Sequence, residues 1–138
     1  MILSEPTQTV EDAHPGLVGF ILVTALINLF IASASAKWAI MAPVFVPMLM
    51  LMGFSPETVQ AAYRVGDSST NIVTPLMPYF PILIAYARKY EPNIGLGTLL
   101  SAMVPYSVAF LVSWTLLLLA WIGLGWALGP GTPLYFNP

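Results

Sequence analysis

Apolar and polar positions fall into long blocks of unequal length along this chain of 138 residues. Residues 16–32 and 38–52 are apolar runs of 17 and 15 residues, separated by the small-residue linker SASAK. At about 1.5 Å rise per residue each run reaches about 22 to 26 Å, short of a hydrocarbon core about 30 Å thick. Residues 16–52 could form one long helix or two crossings with a very tight turn. They could instead form a re-entrant hairpin with its tip at membrane depth. Small Ser and Ala side chains let backbones approach closely, and irregular backbone is tolerated at that depth only where protein or water surrounds it. The hairpin is therefore the preferred reading.

Next comes GFSPET, where Ser55 can cap a helix that starts at Pro56 and carries Glu57 in its first turn. The helix is expected to pass Tyr63 and Arg64 and to meet Gly66. Residues 72–87 are apolar again, interrupted by Pro75, Pro78 and Pro81, and end at Arg88, Lys89 and Glu91. Neither half spans alone. Residues 56–88 thus read as one crossing broken near its middle, with GDSSTN (66–71) in the break. Residues 95–127 are uncharged, contain Pro105 and three tryptophans, and exceed about 45 Å as a helix. They read as the last crossing, tilted, kinked or extended beyond the hydrocarbon. Residues 1–15 read as a polar tail and 16–138 as the membrane domain.

Composition turns these blocks into a class. The chain is 58% hydrophobic and 7% charged, with a mean hydropathy of +0.84, too little polar surface for a soluble domain. The expected fold is an all-α membrane protein: a re-entrant helical hairpin, a broken transmembrane helix and a final transmembrane helix. The net charge of −2 comes largely from Glu5, Glu11 and Asp12, and no basic run suggests a nucleic-acid partner. The first fourteen residues hold no Lys or Arg, so no signal peptide is expected. There is no cysteine, His14 is the single histidine, and no serine has a plausible base nearby, so an enzyme is not expected. Arg88 and Lys89 form the one basic cluster in a short loop, which points that loop to the cytoplasm and the N-terminus, residues 53–58 and the C-terminus to the outer side.

The candidate chemistry lies in the break. An Arg or Asp at the centre of a membrane helix costs roughly 2.5 to 3.5 kcal/mol on insertion scales, so such charges face a partner or a water-filled cavity. Arg64 and Asp67 are three apart and could pair on one helix face, a purely structural role. That leaves the neighbours unexplained. Gly66 can free the backbone, and Ser68, Ser69, Thr70 and Asn71 add oxygens of the kind a hard cation requires, while a half-helix N-terminus after a break favours an anionic group. The hairpin tip repeats the theme with Ser33, Ser35, Asn28 and Trp38, whose ring can stack on an aromatic ligand. Each has a structural alternative, since Ser and Asn also join membrane helices and Trp also sits at interfaces. Lys37 stays open between such a role and a functional one.

The segments NLFIASASAKWAIMAPVFVPM and YRVGDSSTNIVTPLMPYFPILIAYARKY closely resemble the C-terminal part of the aminobenzoyl-glutamate transporter (AbgT) family. The resemblance covers roughly residues 16–138, and residues 1–14 do not share it. It implies a secondary transporter of the bacterial inner membrane, multi-pass, with re-entrant hairpins and broken helices, related in architecture to divalent-anion/sodium symporters. The implied activity is import of p-aminobenzoyl-glutamate or export of sulfonamide antimetabolites, driven by an ion gradient. Family positions fall on Asn28, Ser35, Trp38, Arg64, Asp67 and Pro75. Asp67 and Asn28 would lie at the ion or proton site, where sodium is one candidate. Trp38 and Arg64 would lie near the substrate, and Pro75 at the helix break.

Family members are several times longer and carry a second, inverted repeat, so the chain is expected to be a C-terminal fragment with at most half of a central site. Besides the bilayer and an aromatic anionic small molecule, the expected partner is a second copy of the chain or a missing N-terminal half. Two other functions compete with transport. One is an inert remnant or membrane interaction module; the other, a pore-forming oligomer, would require a polar stripe along a complete helix, and none is present.

Overall fold

The computed structural model describes residues 14–136; of the polar tail expected over 1–15, residues 1–13 lie outside the described residues. Five α-helices follow in order: α1 (His14–Asn28), α2 (Ala34–Leu51), α3 (Pro56–Thr70), α4 (Phe80–Ala87) and α5 (Leu96–Gly123), with a short 3-10 turn at Asn71–Val73. Among the described residues there is no β-strand, only isolated bridges such as Phe54 with Tyr135. Helices α2 and α5 are long and apolar enough to cross a membrane, whereas α1 has 15 residues.

Helices α1 and α2 form an antiparallel hairpin. A Cβ on Gly16 would lie 3.2 Å from Met52 Sδ, and the Phe20 and Phe45 rings sit 4.9 Å apart midway along the arms. The tip differs from expectation. It falls at residues 29–33, because α1 stops at Asn28 and the Ser33 hydroxyl accepts from the Ala36 N–H, capping α2 from Ala34 onward. Most of SASAK is therefore the first turn of α2, and Lys37 is carried inward with it. A hairpin tip held at membrane depth predicts that a Ser35→Cys variant reacts slowly with an impermeant thiol reagent added from the cytoplasm. Rapid labelling from that side would make residues 16–52 a pair of crossings.

Helix α3 begins as its sequence signals require: Ser55 accepts from the Thr58 N–H at 3.2 Å, with Pro56 in the first turn. It does not end at Gly66. The helix continues through Thr70, so the break lies at residues 71–79, later than the 66–71 predicted. The prolines explain the shift. Pro75 and Pro78 lack N–H groups and restrict the residues before them, whereas Ser, Thr and Asn only weaken a helix that packing can hold. Gly66 has a different use. A Cβ there would lie 2.6 Å from the Ile21 carbonyl oxygen and 2.8 Å from Thr24 Cβ, so its missing side chain lets α3 lie directly against the backbone of α1.

Helices α1 and α3 run parallel, Ile21 and Thr24 meeting Gly66 and Asn28 meeting Thr70. Helix α5 runs antiparallel to α3 and is pinned where the Ser107 hydroxyl donates to the Ser69 carbonyl at 2.7 Å. The segment after α5 returns to the start of α3: Ser55 N–H donates to Leu134 O at 3.1 Å and Phe136 N–H to Gly53 O at 2.9 Å. The core is built from Leu17, Phe20, Ile21, Met41, Leu49, Phe54, Val59 and Tyr63 at the junction of α1, α2 and α3. Val108, Phe110, Leu116 and Leu117 of α5 are exposed, the apolar surface of a helix that meets hydrocarbon or further protein.

Candidate functional site

The hairpin tip and the C-terminal end of α3 come together around one buried ion pair. Lys37 in the first turn of α2 is 0% exposed, and Asp67 one turn before the end of α3 is 4% exposed. The Lys37 ammonium lies 2.5 Å from Asp67 Oδ1 and also donates to Asn28 Oδ1. The Tyr63 ring lies 5.9 Å from the same nitrogen. Burying either charge alone costs several kcal/mol, and the loss is offset only when the partner and further hydrogen bonds are in place. Here carboxylate, amide oxygen and ring face surround the ammonium on three sides.

Asn28 ties this pair to the break. Its amide nitrogen faces the Asp67 carbonyl at 2.9 Å, Thr70 Oγ1 at 2.8 Å and Asn71 Oδ1 at 2.9 Å. A side-chain amide has two protons for these three acceptors, so at any instant one of the three oxygens receives no proton from Asn28. The Asn28 carbonyl, left without a helical partner at the end of α1, receives the Thr74 hydroxyl at 3.2 Å, which also lies 3.0 Å from Thr70 O. Thr74, in the break, is fully buried.

The pair read from sequence is present but is not the closest one. Arg64 Nη1 stands 4.0 Å from Asp67 Oδ2 with its side chain 63% exposed, so it is a peripheral partner and Lys37 is the main one. Helical spacing places Arg64 and Asp67 on neighbouring positions of one face, but the tertiary fold brings in a cation from thirty residues away. The hydroxyl run is engaged along its own helix. Ser68 donates to Arg64 O at 2.7 Å, Ser69 to Val65 O, and Thr70 to Gly66 O at 2.9 Å, each back to the carbonyl four residues earlier. Of these, Thr70 also reaches the Asn28 amide, whereas Ser68 is exposed away from the pair and Ser69 serves the contact with α5.

At the tip, Ser35 lies 3.4 Å from the Ser33 hydroxyl and is exposed. The Trp38 ring is packed 4.8 Å from that of Tyr63, whose hydroxyl donates to Ala34 O at 2.5 Å. Trp38 is thus held by a neighbouring ring at the edge of the ion-pair network. Pro75 is exposed in the break. Sequence reasoning missed Tyr63 and Thr74 altogether. A signal existed for Tyr63: it stands four residues before Asp67 and seven before Thr70, one helical stripe.

Two of the oxygens that could hold a hard cation, Asp67 Oδ1 and Asn28 Oδ1, are engaged by the Lys37 ammonium, while Thr70 Oγ1 and Asn71 Oδ1 face the Asn28 amide nitrogen. Among the described residues there is no group of three or more His, Cys, Asp or Glu side chains, so a cation bound here would depend on this single carboxylate. A separate cleft of about 180 Å3 between α3 and α5 is lined by Ala61, Val65, Trp114, Leu118 and other apolar groups and contains no charge.

Similarity to known proteins agrees with this arrangement of hairpin, broken helix and last helix. The chain is 44% identical over 117 residues to the p-aminobenzoyl-glutamate transport protein of Escherichia coli (strain K12), a match that covers 85% of this chain and 23% of the relative. The crystal structure of the YdaH transporter of Alcanivorax borkumensis superposes with a TM-score of 0.79 at 54% identity, over 91% of this chain and 29% of that one. MtrF of Neisseria gonorrhoeae, whose structure illuminates a class of antimetabolite efflux pumps, gives 0.74 at 56% identity over 85% of this chain and 23% of its own. The chain therefore spans less than a third of each of these relatives. The profile of the AbgT putative transporter family matches residues 7–136, so the likeness starts before residue 16, where the sequence reading had begun it. With that match over most of its length, the chain belongs to the AbgT putative transporter family.

Proposed function

We propose that this chain forms part of an ion-coupled secondary transporter of the bacterial inner membrane that moves p-aminobenzoyl-glutamate, related aromatic anions or sulfonamide-type antimetabolites. The observation that carries this reading is the buried Lys37–Asp67–Asn28 network where a hairpin tip meets a broken helix. A buried charge pair within a membrane domain is costly and marks substrate or ion pathways, and helix breaks are where secondary transporters place their binding sites. In this reading Asp67 couples the driving ion, a proton or sodium, and Asn28, Thr70 and Asn71 link its occupancy to the end of α3 through their shared hydrogen bonds. Arg64, exposed beside the pair, supplies guanidinium donors to a substrate carboxylate. Trp38, held by Tyr63, offers a ring face to the aminobenzoyl or sulfonamide ring, and Ser35 and Pro75 border the same region. The rest of the substrate's surroundings comes from a second copy of the chain or from further transporter sequence.

The test follows radiolabelled p-aminobenzoyl-glutamate in both directions across the membrane of cells that express the protein. Asp67→Asn is predicted to abolish ion-driven flux while the protein remains in the membrane, because it removes the carboxylate and keeps its shape. Flux equal to wild type in the variant would remove Asp67 from coupling. No flux from either form, with both in the membrane, would leave a membrane module without transport.

A further inference from the structure

The position expected for a coupling cation is already filled by a side chain. Lys37 Nζ bridges Asp67 Oδ1 and Asn28 Oδ1, oxygens of the two residues that the resemblance places at the ion or proton site. The ammonium is fully buried, with the Tyr63 ring on its third side. Arg64 Nη1 adds a further positive group 4.0 Å from the other carboxylate oxygen. A free sodium ion entering here would meet one carboxylate already held by the buried Lys37 ammonium, at a range where like charges repel strongly in a low-dielectric site, with the exposed Arg64 guanidinium adding a weaker, solvent-screened repulsion.

We propose that Lys37 is the built-in cation of this site and a specificity-determining residue: its ammonium excludes free sodium from Asp67 and Asn28 as long as the pair is closed. Three features support this. The chain's geometry puts Lys37 in the rigid first turn of α2, held by the Ser33 cap, so the ammonium is presented by a helix and not by a loop. The Trp38–Tyr63 stack beside it and the bond from Tyr63 to Ala34 O fix that turn against α3. Finally, the ammonium's partners are the very oxygens a sodium ion would need. The inference rests on the reading of Asp67 as the coupling position and, of the two driving ions named for it, leaves the proton; it is tested by ion binding, so that its failure is separate from a failure of transport.

The probe is sodium alone. Retention of radioactive sodium and the unfolding temperature are measured on the purified chain in lipid nanodiscs, with sodium chloride replaced stepwise by choline chloride at constant ionic strength. Wild type is expected to retain no saturable sodium and to unfold at the same temperature throughout. Lys37→Met, which keeps the length but not the charge, is expected to gain saturable sodium retention and a sodium-dependent rise in unfolding temperature. The double variant Lys37→Met/Asp67→Asn is expected to lose both. Saturable retention by wild type that Asp67→Asn abolishes would overturn the proposal, as would a folded Lys37→Met protein that binds none. If Lys37→Met does not stay folded, wild type and Asp67→Asn decide: no retention in either supports the internal cation, and Asp67-dependent retention overturns it.

Discussion

Lys37→Met in sodium-free buffer should destabilise the protein by about 3 to 5 kcal/mol, the range seen when one partner of a buried ion pair is removed. The loss comes from what stays behind. Asp67 is 4% exposed and would be left buried without its close partner, with only the largely exposed Arg64 guanidinium 4.0 Å away. Asn28 Oδ1 would also lose its donor. The penalty should be recovered in large part by neutralising the other side: with Asp67 replaced by Leu as well, no buried charge is left unpaired, Arg64 being exposed to solvent, and such apolar replacements of buried pairs are often neutral or stabilising. Reversible unfolding of wild type, the two single variants and the double variant in bilayers closes the cycle. A double variant as unstable as the sum of the singles would mean that the two side chains do not act on one another, which the 2.5 Å contact forbids.

Gly66→Ala is the second large effect, and it is a matter of space. The added Cβ would lie 2.6 Å from the Ile21 carbonyl oxygen, and a helix backbone cannot yield as a side-chain end can. Helices α1 and α3 must separate, and overpacking of this kind costs about 1 to 3 kcal/mol. The consequence extends to the site, because the same two helices carry Asn28 and its acceptors Asp67 O and Thr70 Oγ1, with Asn71 Oδ1 in the turn that follows α3. Gly19→Ala serves as the control: it lies in α1 with no atom within 4 Å of its added Cβ, and helix propensity favours the change by up to about 1 kcal/mol. Equal unfolding free energies for the two variants would remove the close approach as the reason for Gly66.

The two predictions mark where local sequence ran out. Glycine followed by serines and threonine is a fair local sign of an unwound helix, and the residues after Gly66 do satisfy carbonyls by back-bonding. Yet the chain stays helical to Thr70 because the α1 surface is shaped to receive it, a fact held by residues forty positions away. Arg64 and Asp67 likewise pair well on a helical wheel, while the nearer partner arrives from another helix.

What the amino-acid sequence determined by itself was whatever depends on neighbours along the chain or on bulk composition. Run lengths and hydropathy set the membrane class, Ser55–Pro56 set the start of α3, and the prolines set an interruption before α4. The two long, specific segments around residues 28–48 and 63–90 were enough to indicate the family, and the resemblance names Asn28, Trp38 and Asp67 among its candidate positions. What only the tertiary structure decided was who meets whom: the burial of Lys37, its bond to Asp67, the Tyr63 support and the Thr74 bridge. The reason is physical. Capping, proline breaks and apolar runs act within a turn or two of helix, but the position of a buried charge depends on which helices pack together, and that is fixed by surfaces far apart in sequence.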